Sequence, residues 1–477
     1  MMDNNTFHKI LVIFSDESYN KYQNEVMNLL HFIRLFHLVS IVNPERVNRF
    51  ERQAEKICHE MKGVIDLQHF QFALNSLLAI LEDAHTYFMP EDGLIYPYEI
   101  RYYEGCFYLY AIDSEYPDFT GKEIVSINGI SVKDVRLAMR KAMPLENEVK
   151  AGLWSFYLNR KALLHQIGVG TAKGVCLGFH DGNSLLFESE TENLSGWHQV
   201  NFPPYPVTVK RDDLFSYQII EDKCYLQFNA MYDLQWYLQV CQITGTKVED
   251  NYLNFLPSFS DFIDKMDADI NQHHIRKLVV DMRYNGGGNS MLGDQLLQYL
   301  GVDTGTISRY KTLVRKSDFL FKCMPDFYDC SKCKSEELIT MGDFENLHSL
   351  PKIKNRFEGK VIFIQGQNTF SSANYLLTTV KDNHLFPIIG TPTSQKPTCF
   401  GDVLPVELPF TGTKGYISHS FFERPDVRRN EEYCLYPDFH IPMSMDERLN
   451  GIDKCWEWIE MNIMYYLSVS YTHLRAH

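Results

Sequence analysis

Three consecutive glycines constrain this chain more than any other feature. They lie in the run Lys277-Leu-Val-Val-Asp-Met-Arg-Tyr-Asn-Gly-Gly-Gly-Asn-Ser-Met291. A short β-branched strand ends at Asp281, and an apolar-periodic helix begins near Met291. Glycines in succession strip every Cβ from the turn, so its backbone N–H groups can be aimed at a group brought very close. That group is either a phosphate or a carbonyl oxygen carrying developing negative charge. A phosphate cradle fits poorly. There is no Gly-x-x-x-x-Gly-Lys-Ser/Thr pattern, and no basic residue falls in the seven positions after Gly288.

Length and charge narrow the class. A chain of 477 residues is too long for one compact core, which predicts two or three domains. With 45% hydrophobic and 22% charged residues it is an ordinary globular sequence rather than a disordered one. A formal net charge of -15 argues against nucleic acid as the main partner. No run approaches 18 apolar residues, so no transmembrane helix is expected. The 11 cysteines are odd in number and mostly lie in apolar stretches, which reads as buried free thiols. Cys330-Ser-Lys-Cys333, near Cys323, has one metal-like spacing but no second ligand pair, so no metal and no cofactor are expected. The run Ile10–Phe14 is short for a signal peptide. As written the chain reads as cytoplasmic, or as exported with its leader missing. The last residues, Leu467-Ser-Val-Ser-Tyr-Thr-His-Leu-Arg-Ala-His477, bear no relation to the helix before them and read as a foreign, adapter-derived tail.

Periodicity divides the rest. Residues 18 to 89 are helical, and from Asp66 to Leu81 the apolar positions Phe70, Leu74, Leu77, Leu78 and Leu81 share one face, with Asp66 as the N-cap. From about Tyr96 the period becomes two. Cys106-Phe-Tyr-Leu-Tyr-Ala-Ile is a strand, and an Asn128-Gly129 turn joins two more before a helix with Val135, Met139 and Met143. That order suggests a small β-rich module of the PDZ kind. Past Pro204, strands and helices alternate: Cys224 to Phe228, a helix from Phe255 to Ile270, Lys277 to Asp281, Lys360 to Gln365, and a helix from Ser371 to Val380. A sheet covered by helices is expected there. Pro325 to Lys352 reads as a long surface excursion. The expected organisation is a multidomain α/β protein with a helical N-terminal domain over 1–90, a PDZ-like module over 91–150 and a mixed connecting region over 151–209. An α/β core over 210–465 and the foreign tail over 467–477 complete it.

A second segment carries chemistry. Thr369-Phe-Ser-Ser-Ala-Asn-Tyr-Leu-Leu places serines where an apolar strand meets a helix N-terminus. A hydroxyl there is exposed beside outward-pointing N–H groups and the positive end of the helix dipole. This suits a nucleophilic serine whose own helix helps to hold an oxyanion, and equally an ordinary N-cap serine. Taken in order, Val280-Asp-Met-Arg-Tyr-Asn-Gly-Gly-Gly, Val361-Ile-Phe-Ile with Thr-Phe-Ser-Ser-Ala-Asn, and Ile389-Gly-Thr-Pro-Thr with Phe-Gly-Asp resemble the C-terminal processing (tail-specific) peptidase family, which includes the tricorn protease core. With Glu82-Asp-Ala-His-Thr86 and the hairpin module, the resemblance extends over residues 20 to 445.

The resemblance implies a peptidase core of mixed sheet covered by helices, of the ClpP/crotonase type. It implies that Ser371 is the nucleophile and that Ser372 gives its backbone N–H. Gly287 or Gly288 would supply the second oxyanion donor. The family has two bases. One branch uses a lysine 25 positions downstream, which is Lys396 here, but Gln395 and Pro397 stand where that branch has glycines. Such a lysine must lose its charge near neutral pH, which needs burial or a cationic neighbour. The tricorn-like branch uses a histidine from an N-terminal segment, oriented by a late glutamate. His85 in Asp-Ala-His-Thr matches the histidine, and Glu431 matches the glutamate by its spacing from Pro437-Asp438, with Glu432 one residue away. Imidazole needs no large shift to act as a base, so Ser371, His85 and Glu431 are the expected triad. Asp281 and Arg283 are expected to hold the glycine turn in shape.

The expected activity is a serine endopeptidase acting on peptide or unfolded protein through an acyl-enzyme, as a monomer or an oligomer, with the PDZ-like module binding an extended tail by strand addition. The rival is a catalytically weak or inactive family member that binds a peptide or hydrophobic ligand, as retinoid-binding repeats do on the same scaffold. Two departures motivate it: Asn374 where the family often has glutamate, and Cys434-Leu where Gly-Val is usual. A hydrolase of small esters or amides is a third reading.

Overall fold

The computed structural model describes residues 7–63, 66–91, 93–192, 196–207, 212–244, 247–324, 338–340, 353 and 355–466. Cys330, Cys333 and the expected foreign tail lie outside the described residues. The chain forms two compact units. The first comprises residues 1–200, 311–345 and 398–423, the second residues 201–310, 346–397 and 424–477. Two segments from within the stretch read as one core thus join the N-terminal unit.

In the first unit, the helices Lys21–Phe36, Pro44–Glu60 and Leu67–Leu78 start at side-chain caps on Asn20, Asn43 and Asp66. Each cap accepts an otherwise orphaned first-turn N–H. The third helix is shorter than its periodicity predicts, because Ala79–Leu81 tightens into a 3₁₀ turn. The apolar faces, among them Leu29, Ile33, Phe50, Ile57, Leu74 and Leu77, form one core with Leu404 and Val406 of the strand Cys399–Glu407 and Ile417 of Lys414–Glu423. Burying that stripe, rather than intrinsic propensity, is what holds such helices. These two strands pair antiparallel, and Lys414–Glu423 also pairs with Tyr87–Phe88 and Lys311–Arg315.

A seven-stranded sheet fills the rest of this unit, in the order Tyr98–Tyr103, Cys106–Ile112, Glu123–Ile127, Val175–Phe179, Ser184–Phe187, with Ile130–Ser131 and His198–Gln199 alongside. It therefore continues past residue 150, into the stretch read as a connecting region. Ile124 pairs directly with Phe179 and Ile127 with Leu177, so the hairpin completes its apolar face only with the later strands.

The second unit is built on a six-stranded sheet: Phe215–Ile220, Lys223–Phe228, Lys277–Asp281, Lys360–Gln365, Ile388–Gly390, Phe439–His440. The first pair is antiparallel and all later pairs are parallel. Successive residues of Lys277–Asp281 enter opposite cores. Leu278 and Val280 pack with Leu292, Leu296, Leu376 and Leu377, while Val279 packs with Ile362, Ile389 and Ile459. Burial on both faces explains why these strands read as unbroken apolar runs. The helix expected over 255–270 instead spans Phe259–Gln272, after a separate helix Asp250–Phe255. Pro257 ends the first, and the Ser258 side chain caps the second. The strands Lys277–Asp281 and Lys360–Gln365 end side by side, with Asp281 opposite Ile364. Their carboxyl ends are where an open parallel sheet presents a crevice.

Candidate active site

Both signature segments emerge from that shared edge. The helix Ser372–Asp382 begins one residue after Ser371, whose backbone is at φ 53° and ψ -128°. A positive φ at a non-glycine residue is costly and persists only where surrounding contacts over-determine it. Those contacts are visible. Phe370 N–H donates to Asn285 O at 3.0 Å, and Ser371 N–H donates to Gln395 Oε1. The Ser371 side chain makes no capping bond to its helix, so the N-cap reading of this serine does not hold.

The glycine turn lies directly against this bend. Gly287 and Gly288 have φ values of 100° and 132°. A Cβ on Gly287 would come within 2.6 Å of Ser371 Cβ and 2.9 Å of Ser372 N, and one on Gly288 within 2.1 Å of Met231 O. Only glycine fits either place. Asn285, fully buried, organises the turn: its Nδ2 donates to Phe228 O at 2.9 Å and its Oδ1 accepts Gly287 N–H at 2.9 Å. Met231 N–H donates to Gly287 O at 2.9 Å, and Ser372 Oγ donates to Gly288 O at 2.6 Å.

The oxyanion donors follow by accounting for each N–H. Gly287, one of the two candidates from the sequence, has its N–H engaged by Asn285, and that of Ser371 is engaged by Gln395. The N–H groups of Gly288 and Ser372 have no acceptor among the described residues. Backbone donors at a strand-to-helix bend, with the helix dipole behind them, suit an oxygen acquiring negative charge.

Beneath the turn lies a buried ion cluster. Arg283 donates Nε and Nη2 to Asp281 at 3.0 and 2.9 Å, and Nη1 and Nη2 to Asp453 at 2.9 and 2.7 Å. Tyr225 OH donates to Asp281 Oδ2 at 2.5 Å. Asp281 and Arg283 thus brace the approach to the turn as expected, with Asp453 and Tyr225 as partners that no local pattern announces.

The remaining sequence candidates separate. Lys396 places Nζ over the Tyr433 ring, 4.6 Å from its centroid. Glu431 is exposed, whereas Glu432 accepts from Arg424 Nη1 at 2.7 Å and Arg429 Nε at 2.8 Å, beside the Arg424–Asp382 pair.

His85 belongs to the first unit and is buried there. The preceding Asp83, overlooked in the sequence, holds its segment. Asp83 Oδ1 accepts His85 N–H at 2.9 Å, and Oδ2 accepts Thr86 Oγ1 at 2.5 Å. His37 Nδ1 accepts Val39 N–H at 3.1 Å, which leaves its Nε2 to donate to Asp83 Oδ2 at 3.0 Å. Burial pushes the Asp83 carboxyl up, but the His37 bond, the two imidazoles and the Thr86 hydroxyl outweigh it and leave it below the usual range. Burial, with the Lys150 ammonium adding to it, carries His85 below the ordinary histidine value against the pull of Asp83 and Asp402. Burial likewise lowers Lys150 to about 8, opposed by Glu146. Asp83, His85 and Glu146 lie close enough to offer ligand atoms within 4.8 Å of one another. Asp83 already accepts three hydrogen bonds, and Lys150 places a cation beside His85 and Glu146. A metal therefore finds poor terms there.

Among the described residues no helix is long and apolar enough to cross a membrane. Comparison with known proteins accords with this geometry. Residues 240–406 match the model of peptidase family S41. A search of curated proteins found no match. Among solved structures the chain is similar to mature CPAF, with a TM-score of 0.61 at 16% identity over 94% of this chain and 98% of that one. It is likewise similar to mature CPAF complexed with lactacystin, with a TM-score of 0.60 at 15% identity over 92% and 97% of the two chains. The multidomain α/β fold is shared across nearly the whole length.

Proposed function

The chain belongs to peptidase family S41 and is a serine peptidase, and we propose that Ser371 is the nucleophile with which it cleaves peptides and unfolded protein tails. One observation carries this reading: Ser371 is held at a positive φ against a glycine turn that no side chain can enter. In the proposed cycle Ser371 Oγ attacks the scissile carbonyl, and the Gly288 and Ser372 N–H groups take the oxyanion. Collapse of the tetrahedral intermediate expels the amine and leaves an acyl-enzyme, which water hydrolyses.

His85 is the proposed base and Glu431 its orienting carboxylate. Support comes from the matching of both motifs, from the buried anchoring of His85 by Asp83, and from the engagement of Glu432 by Arg424 and Arg429. A histidine held below its ordinary pKa is in the acceptor form at neutral pH. Lys396 is the weaker candidate, since its ammonium is occupied with Tyr433. The match to a peptidase family does not favour the ligand-binding, non-catalytic reading.

Labelling with a fluorophosphonate probe tests the assignment. Wild type is expected to label and to hydrolyse casein, and Ser371→Ala to do neither. Equal labelling of the two would remove Ser371 as nucleophile.

A further inference from the structure

The N–H of Ser371 itself lies at the bend, and the structure does not leave it to the substrate. We infer that Gln395 is a positioning residue for the nucleophile: its side-chain carbonyl takes the Ser371 N–H, holds that residue in its strained conformation, and reserves the oxyanion for Gly288 and Ser372. The inference rests on the proposal that Ser371 is the nucleophile.

The geometry is built from the loop that follows the strand Ile388–Gly390. Gln395 is 2% exposed, and its Oε1 accepts Ser371 N–H. Four further contacts fix the loop that carries it. Thr393 Oγ1 lies 2.8 Å from Asn374 Oδ1, 3.2 Å from Gln395 O and 3.2 Å from Leu435 N. Asn374 Nδ2 in turn donates to Lys396 O at 3.4 Å. Asn374 sits in the first turn of the nucleophile's own helix and is 1% exposed. One side chain on that helix thus grips the loop on both sides of Gln395, and Gln395 returns a bond to the residue just before the helix.

Physical reasons favour an amide in this place. Without an acceptor the Ser371 N–H would be an unsatisfied donor in a part-buried bend. A carboxylate would satisfy it equally well but would set a negative charge beside the forming oxyanion. Glutamine accepts the bond and carries no charge. The departure at Asn374, where the family often has glutamate, finds its use in this clamp.

Gln395→Met keeps the length of the side chain and removes the acceptor. With a peptide substrate, kcat is expected to fall by about 10²-fold, the loss that a small misplacement of a reacting group produces. KM should stay within a factor of about three, because ground-state contacts are untouched. An unchanged kcat would overturn the inference, and so would a KM that rises in step with the loss. Should Gln395→Met fail to fold, Gln395→Glu carries the test. Its rate relative to wild type is expected to rise as the pH is lowered and the carboxylate is neutralised, and a ratio flat with pH would overturn the placement. Ser371→Ala run alongside keeps the two claims apart: if it retains activity, the nucleophile assignment fails whatever Gln395 does.

Discussion

Gly287 and Ser371 meet so closely that a Cβ on the glycine would stand 2.6 Å from the Cβ of the serine. Real Cβ contacts are never that short, and the φ of 100° at Gly287 disfavours any side chain. Gly287→Ala must therefore push the turn away from the nucleophile. The variant should lose about 10²–10³ in kcat/KM, comparable to loss of an oxyanion donor, because the Gly288 N–H moves with its neighbour. Steady-state kinetics beside a thermal melt would check this. Full activity in a folded variant would mean the turn is not part of the site.

The strain at Ser371 predicts a separation of stability from activity. Ser371→Gly relieves a backbone conformation that costs a non-glycine residue about 1–3 kcal/mol. Part of that gain returns as unfolded-state entropy, leaving about 1 kcal/mol of net stabilisation. Ser371→Ala keeps a Cβ and gains nothing. Urea unfolding should show a higher midpoint for the glycine variant alone with an unchanged slope, while both variants are inactive. Equal midpoints would show that the bend is unstrained.

The acid limb of kcat/KM should report His85. Burial and Lys150 lower its pKa, and Asp83 and Asp402 raise it, with the balance below the ordinary value. The neutral, base-competent imidazole therefore survives to lower pH than an unperturbed histidine, and the limb should fall below about pH 6.5. Lys150→Met removes a cation and should move the limb up. Asp83→Asn removes an anion and should move it down, with a loss in kcat as the segment loosens. His85→Ala should cost about 10²–10⁴ in rate, and Lys396→Ala little. A limb that ignores both substitutions, with activity lost in Lys396→Ala, would transfer the base to the lysine.

What the sequence discloses follows the reach of each signal. Strands such as Lys277–Asp281 and Cys106–Ile112 are legible because the pattern that names them is local and the core they enter is covered on the expected faces. The break before Phe259 was equally legible from Pro257 and Ser258, and the competing apolar run hid it. The glycine turn and Ser371 declare themselves through residue types that few other structures require. Asn285 carries a weak signal, since Asn-Gly commonly marks a turn. Gln395 carries none: its role is a single acceptor placed across 24 residues of chain. Nor does local pattern reveal that residues 398–423 pair within the N-terminal unit, because a strand's neighbours in a sheet are set by burial and not by order.

Asp453 is the residue whose loss should be felt farthest from its own position. It caps the start of the helix Lys454–Tyr466 by accepting from Cys455 and Trp456 N–H, and with the same carboxylate it grips Arg283. Both side chains of the pair are nearly sequestered, at 1% and 10% exposure. Asp453→Ala leaves the guanidinium buried with Asp281 as its one remaining carboxylate, and breaking a buried pair in this way costs about 3–5 kcal/mol. Urea unfolding at low and high salt measures it. Salt screens exposed pairs over distances of about 10 Å or less but acts little on buried ones, so the deficit should persist in 1 M salt. Because Arg283 lies two residues before Asn285, the folded fraction should also lose activity, read as a fall in fluorophosphonate labelling rate well below the melting temperature. A salt-sensitive deficit under 1 kcal/mol would instead place the pair among ordinary surface contacts and detach it from the turn.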